Sequence, residues 1–527
     1  MEQNILKLFI KKGFLLDKEM LDFLSELKDE DVANEIINKI AVVSKQKLIT
    51  KNLVNQNFDK IKPFLFELDL EKKKLVEKFF VNVSISVEVK KEVSYEINNK
   101  EEKNIEDEIR PIKVINSPVN LAQKIEVKDF VRYFRSRYNF MKNLLSQKKE
   151  LENLSSIDKI SFNKKIFSII GIVTNKLVTK SKNIILDVED LTGKARLLIN
   201  QTKEDVYNKS KEIVLDDVIG FKCSGSGDFL YVNDIIYPDS FLKEKHRSDR
   251  EVYALFISDI HVGSDMFLEK NFSKFINWLR GIDCDDNQRE LLKKIKYLFI
   301  IGDTIDGVGI YPGQEKFLQI KDIKKQYEKL AEYLDMIPKY ITIIMCPGQH
   351  DGVRVAEPQP PIGEDFGYPL HKISNLHLVS NPSFIEIEAK EGKSGIKVLM
   401  YHGASMHHII GEIEELRLIN GHHYPAKVVK HLLYRRHLAP MHGDMIYIPS
   451  SDEDHLIIKE VPDIIATGDL HKTDVDNYNG TLIICSSCWQ SITPFEEKVG
   501  NLPDPCKVPI LNLKTGAIKI LNFNEDE

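Results

Sequence analysis

At 527 residues the chain is too long for one hydrophobic core, and two to four domains are expected. Its 42% hydrophobic and 29% charged residues suit globular protein, and no apolar run approaches the roughly eighteen residues of a membrane-spanning helix. A net charge of −6 argues against a highly basic nucleic-acid coat, but not against local basic patches or a site where cations neutralise phosphate. The opening residues, MEQNILKLFIKKGF, lack a signal peptide's apolar run and cleavage site, and six cysteines in so long a chain make no disulfide framework. A reducing cytoplasm is the expected compartment, with no membrane association.

Residues 1–82 read as a small helical domain. In DVANEIINKIAVV the residues Val32, Ile36, Ile37 and Ile40 share one helical stripe behind Asp31, a fitting N-cap. Partner docking and a plain helical bundle are both open there. Residues 83–125 read as a charged flexible linker, centred on NNKEEKNIEDE. Helical period returns in 126–155. Phe130, Val131, Phe134, Tyr138, Met141 and Leu145 form its stripe, and Arg132, Arg135, Arg137 and Lys142 fall mostly on a solvated face.

Residues 156–245 predict a small barrel of OB type. IFSIIGIV, NIILDV, ARLLIN, DVIGFKC and FLYVNDII are short β-rich runs, with turn signals at Asp190–Gly193 and Gly225–Asp228. The barrel could bind single strands or only protein; Phe221, Phe229 and Tyr231 are the candidates for base stacking.

Residues 246–527 carry the strongest signal. VYALFISDIHVGS delivers Asp259 and His261 at the end of an apolar strand. KYLFIIGDTIDG delivers Asp303 and then Asp306. KYITIIMCPGQHDGVR delivers Gln349, His350 and Asp351. GIKVLMYHGAS delivers His402, and VPDIIATGDLHKTD delivers Asp469 and His471. Strand tips at one sheet edge converge, so imidazole and carboxylate groups placed there can share metal ions.

The order and spacing resemble the calcineurin-like metallophosphoesterases, whose pattern is DxH, GD, GNH(D/E), a lone His, and GHxH. That resemblance implies a β-sandwich flanked by helices (α/β/β/α), so that the whole chain is multidomain α+β. It implies two divalent metals, Mn²⁺ first and Mg²⁺, Fe²⁺ or Zn²⁺ as alternatives. Asp259, His261 and His471 would hold one, Asp303 would bridge, and Gln349, His402 and Asp469 would hold the other. His350 would stabilise the transition state and protonate the leaving oxygen. Two residues depart from the pattern: Gln349 stands where the family has Asn, and Asp469 where it has His.

RVAEPQPPI, LLYRRHLAPMHGD and EVPDIIATGDLH look like the small, exonuclease subunit of archaeal D-family DNA polymerase, over roughly residues 130–527. This implies 3′→5′ proofreading of single-stranded or frayed DNA ends. It also implies a large catalytic partner, an indirect link to the sliding clamp and a place at the archaeal nucleoid. The alternatives are a non-catalytic scaffold, favoured by Gln349 and Asp469, and a nucleotide or phosphoprotein phosphatase. Arg354, Arg435, Arg436 and His437 are open between phosphate contact and structure. The Cys485–Cys488 pair lacks the second pair a zinc site needs. The histidines of 400–445 other than His402 sit at no motif position and read as surface residues or as neighbours of the ligands.

Overall fold

The computed structural model describes residues 112–524, apart from 119–123, 161–165, 226–228, 283, 391, 444, 450–452 and 500, together with two short strands nearer the N-terminus. The chain divides into two units, Met1–Glu106 and Asp107–Glu527. In the first, β1 (Leu15–Leu16) pairs in parallel with β2 (Leu48–Ile49). The helix expected at 31–43 and the charged run 98–108 lie outside the described residues.

In the second unit the expected linker gives way to structure before residue 125. β3 (Lys113–Asn116) adds to a sheet edge, because the charged run has ended and Ile112, Val114 and Ile115 are β-branched. Then α1 (Val127–Leu145) begins at a capping box in which the Asp129 carboxylate accepts the Glu126 N–H at 2.8 Å. Tyr138, Met141 and Leu145 pack with Leu151, Ile170, Val218 and Ile236. The buried arc is rotated from the one expected: Tyr133 and Arg137 are inside, and Val131 is 44% exposed. Arg137 leaves the expected solvated face because Asp454 meets its guanidinium at 2.7 Å.

Five strands close a barrel: β4 (Phe167–Val178), β5 (Ile184–Glu189), β6 (Lys194–Ile199), β7 (Val218–Ser224) and β8 (Leu230–Ile236), in the order β4-β5-β6-β8-β7. A helix, α2 (Glu204–Lys211), connects β6 to β7. The turn expected at Asp190–Gly193 forms because the Asp190 carboxylate accepts the N–H groups of Thr192 and Gly193, at 2.7 and 2.9 Å. Phe221 fills the barrel interior and cannot stack on a base; Tyr231 is 51% exposed.

The remaining strands build two six-stranded sheets. One holds β9 (Tyr253–Ile257), β10 (Ile295–Ile301), β11 (Thr342–Cys346), β12 (Leu376–Leu378), β18 (Lys507–Asn512) and β19 (Ile518–Asn522), in the order β12-β11-β10-β9-β18-β19. The other holds β13 (Ser383–Ile387), β14 (Ile396–Met400), β15 (Ile464–Thr467), β16 (Asp474–Tyr478) and β17 (Thr481–Cys485), in the order β16-β17-β15-β14-β13-β3.

Alternate residues of the two sheets, among them Phe256, Phe299, Ile344, Val398 and Ala466, meet in one core. The outer face of the first sheet is covered by α3 (Glu269–Leu279) and α4 (Ile323–Asp335), through Phe272, Phe275, Leu330 and Leu334. The outer face of the second is covered by α5 (Met406–Glu412) and α6 (Pro425–Arg435), through Ile409, Val428 and Leu432. Because β9, β10 and β11 run parallel, as do β14 and β15, their C-terminal tips open on the same edge.

Barrel and sandwich meet at a charged seam. Arg435, at the end of α6, pairs with Asp217 at 3.0 Å with both side chains buried. Tyr434 stacks on Tyr237 at 4.0 Å between centroids. Arg436 donates to the carbonyl oxygens of Ile458 and Lys459, both at 2.7 Å, and His437 meets Asp454 at 2.8 Å. All three basic residues are therefore structural. Among the described residues no helix is long and apolar enough to cross a membrane.

Candidate metal centre

The five strand tips converge as their sequence spacing predicts. Asp259, His261, Asp303 and His402 are buried at the open edge of the sandwich. Asp259, His261 and His471 each offer a ligand atom within 4.8 Å of the other two, and so do Asp259, Asp303 and His402. In this geometry Asp259 is common to both groups, where the sequence pattern favours Asp303. His402 Nε2 lies 3.3 Å from Asp303 Oδ2 and 3.7 Å from Asp469 Oδ1. His471 Nε2 lies 3.3 Å from Asp259 Oδ1.

The backbone at these tips is unusual. Asp259, His261, Asp303, Asp469 and His471 have φ of 50°, 53°, 47°, 68° and 53°. Non-glycine residues rarely adopt the left-handed region, and each such residue costs about 1 kcal/mol or more. The adjoining glycines serve close approach. A Cβ on Gly302 would sit 2.3 Å from His402 Nδ1, and one on Gly348 would sit 2.2 Å from Asp303 Oδ1. The tips are wound tightly so that side chains from different strands can touch.

Each imidazole is also fixed from behind. His261 Nδ1 faces Asp306 Oδ1 at 3.2 Å, His402 Nδ1 donates to the Ile301 carbonyl at 2.8 Å, and His471 Nδ1 faces Glu496 Oε1 at 2.8 Å. All three Nε2 atoms are thereby turned into the cleft, as in histidine ligands held by outer partners. Asp306 was visible in the sequence without a role; Glu496 carries no sequence signal, since it lies beyond the last motif. Asp351 is no ligand here. It accepts from the N–H groups of Gly348 and Thr304, at 2.9 and 3.2 Å, and holds two tips together.

Gln349 is oriented by a partner that the sequence does not suggest. Its Nε2 donates to Glu357 Oε1 at 3.3 Å, which leaves Oε1 buried and without a hydrogen bond. Burial pushes the Glu357 carboxyl up to about 8. Asp259 Oδ1 and His402 Nε2 are likewise buried and make no hydrogen bond. Buried polar atoms are nearly always satisfied, so this local concentration of exceptions fits cation ligation.

The electrostatics agree. Burial opposes charge on Asp303, yet His402 and His350 beside it hold its carboxyl well below the usual range. Burial equally opposes charge on His402, yet Asp303 and Asp259 hold its imidazole well above its ordinary value. The cleft carries a surplus of negative charge that a divalent ion would balance.

His350 stands at the mouth, with Nε2 4.0 Å from Asp303 Oδ2. Its Nδ1 lies 2.8 Å from the Asp306 carbonyl oxygen, which can only accept, so Nδ1 carries a proton and Nε2 faces the cleft. Arg354 donates to the carbonyl oxygens of Ala356 and Pro358, and so closes its own loop. All six cysteines are buried thiols, Cys485 and Cys488 included.

Comparison with known proteins gives first the class. Residues 254–475 match the family of the B subunits of DNA polymerases alpha and epsilon. A DNA polymerase II small subunit of Methanothermobacter thermautotrophicus is 37% identical, over 76% of this chain and 80% of its own length. Proteins of the same name from Pyrococcus furiosus and Archaeoglobus fulgidus are each 36% identical, covering 79% and 76% of this chain and 67% and 78% of their own lengths. The chain belongs to the family of archaeal DNA polymerase II small subunits, as its motifs predict.

Proposed function

We propose that this small subunit is a metal-dependent 3′→5′ DNA exonuclease that proofreads for a large catalytic polymerase subunit. The observation that supports it most is the convergence of Asp259, His261, Asp303, His402 and His471, with Asp259 Oδ1 and His402 Nε2 buried and unbonded. A scaffold has no evident use for buried carboxylates and imidazoles held at strained backbone positions. The scaffold reading draws only on Gln349 and Asp469, and Glu357 holds the Gln349 amide nitrogen so that its oxygen stays unbonded.

Two divalent cations, Mn²⁺ first among the candidates, would supply Lewis acidity and lower the pKa of the attacking water. Asp259, His261 and His471 would hold one; Gln349, His402 and Asp469 would hold the other, with Asp303 between them. His350, keeping its Nδ1 proton on the Asp306 carbonyl, would have to be protonated at Nε2 as well, and would donate that Nε2 proton to the 3′-oxygen that leaves. The sandwich reads as a calcineurin-like phosphoesterase domain and the barrel as an OB fold. Tyr231 is exposed on that barrel, and Phe229 lies under Arg196 at 5.6 Å, where a single strand could be guided. The sliding clamp would be reached through the large subunit.

The test is digestion of single-stranded DNA by the purified chain with Mn²⁺, with the 5′ and 3′ ends labelled in separate reactions. Stepwise shortening from the 3′ end is expected. No cleavage, with or without the large subunit, would turn the reading to the scaffold.

A further inference from the structure

His407 stands at the first turn of α5, five residues beyond His402, and no motif position covers it. Its Nε2 lies 3.2 Å from Asp469 Oδ2. That oxygen is buried and makes no hydrogen bond of good geometry, with the His407 imidazole beside it. Such a spacing is what two neighbouring ligands of one ion adopt when each lies about 2.1 Å from it. The other carboxylate oxygen, Oδ1, faces His402 Nε2 at 3.7 Å. The Asp469 carboxylate thus spans from His402 to His407.

The first cation position has two imidazoles, His261 and His471, whereas the second has His402 alone beside an amide and carboxylates. The far nitrogen of His407, Nδ1, lies 3.2 Å from His422 Nε2, which gives the ring the outer partner that metal-binding histidines usually have. The His407 side chain is 47% exposed, so it would approach the ion from the solvent side.

We infer that His407 is a ligand of the second cation, supplying the imidazole that the Asp469 position lacks. This rests on the two-metal reading above. It makes the second site one of mixed nitrogen and oxygen donors, suited to Mn²⁺ or Zn²⁺ over Mg²⁺.

The experiment is Mn²⁺ titration of the full chain by calorimetry, together with pulsed electron paramagnetic resonance to count coordinated imidazole nitrogens. The wild type is expected to take up two ions. His407→Ala should keep the first, weaken the second at least about 10-fold and lose one nitrogen coupling. Adding Asp469→His to His407→Ala should restore the lost coupling and part of the affinity.

An unchanged second affinity in His407→Ala would overturn the inference and leave the two-metal reading standing. Weakened binding with an unchanged nitrogen count would make His407 a positioning residue and overturn its assignment as a ligand. Fewer than two ions in the wild type would overturn the two-metal reading, and this inference with it. Because the side chain is half-exposed, the fold of His407→Ala is expected to survive, and circular dichroism checks that.

Discussion

The barrel–sandwich seam and the strand-tip cleft both bury charge, but they treat it differently. At the seam opposite charges meet, as in Arg435 with Asp217. Asp454 receives Arg137 Nε at 2.7 Å and His437 Nε2 at 2.8 Å, and His437 Nδ1 accepts the Ala439 N–H at 3.0 Å, which fixes a neutral ring. In the cleft, Asp259 Oδ1 and His402 Nε2 are left without hydrogen bonds. Closed pairing specifies one packing of two domains, whereas open pairing leaves a place for something else.

The largest expected effect breaks the open side. Asp303→Asn should lower DNA hydrolysis by about 10⁴-fold or more, to background, with the fold retained, since an amide keeps the side chain's shape and the oxygen that accepts the His350 N–H. Normal hydrolysis in that variant would remove Asp303 from the site. Breaking the closed side should do the reverse. Arg137→Ala strands the Asp454 carboxylate and should destabilise the chain by about 3–5 kcal/mol in denaturant unfolding, with hydrolysis per folded molecule unchanged. A loss of less than about 1 kcal/mol would show that the seam is not closed as described.

His350→Ala comes next. Turnover should fall by about 10²-fold or more, and bound metal, measured by elemental analysis, should stay at the wild-type level. Loss of metal would make His350 a ligand.

The smallest effect is on acid stability. Burial works against the Asp454 charge, yet His437 and Arg137 hold its carboxyl well below the usual range. A depressed carboxyl contributes its stability above the unfolded value of about 3.9 and loses it as pH falls below that. At pH 3 the loss should be about 1 kcal/mol, and Asp454→Asn should flatten that limb of the stability curve. An identical acid limb in the variant would assign it to other groups.

The two regions also differed in how far they could be read from sequence. The strand tips were legible because each motif pairs an apolar strand with its own ligand, and parallel neighbours need no further information to bring the tips together. The five barrel strands were legible for the same local reason, alternation between turn residues. The seam was not. Arg137 sits among exposed basic residues on α1, and only the distant Asp454, 317 positions along, turns it inward. Glu496 and His407 escaped likewise, since their partners His471 and Asp469 lie on other elements. β3 was hidden inside a segment dominated by its charged neighbours, though Val114 and Ile115 within it are strand formers.

The separation of ligands along the chain has a consequence for synthesis. His261 and His471 meet at 3.3 Å across 210 positions of sequence, with strands of both sheets lying between them. A nascent or truncated chain that ends before residue 471 has the first tips but cannot close the cleft. Under the proposed reading, the metal site is therefore assembled only after the chain has passed residue 471.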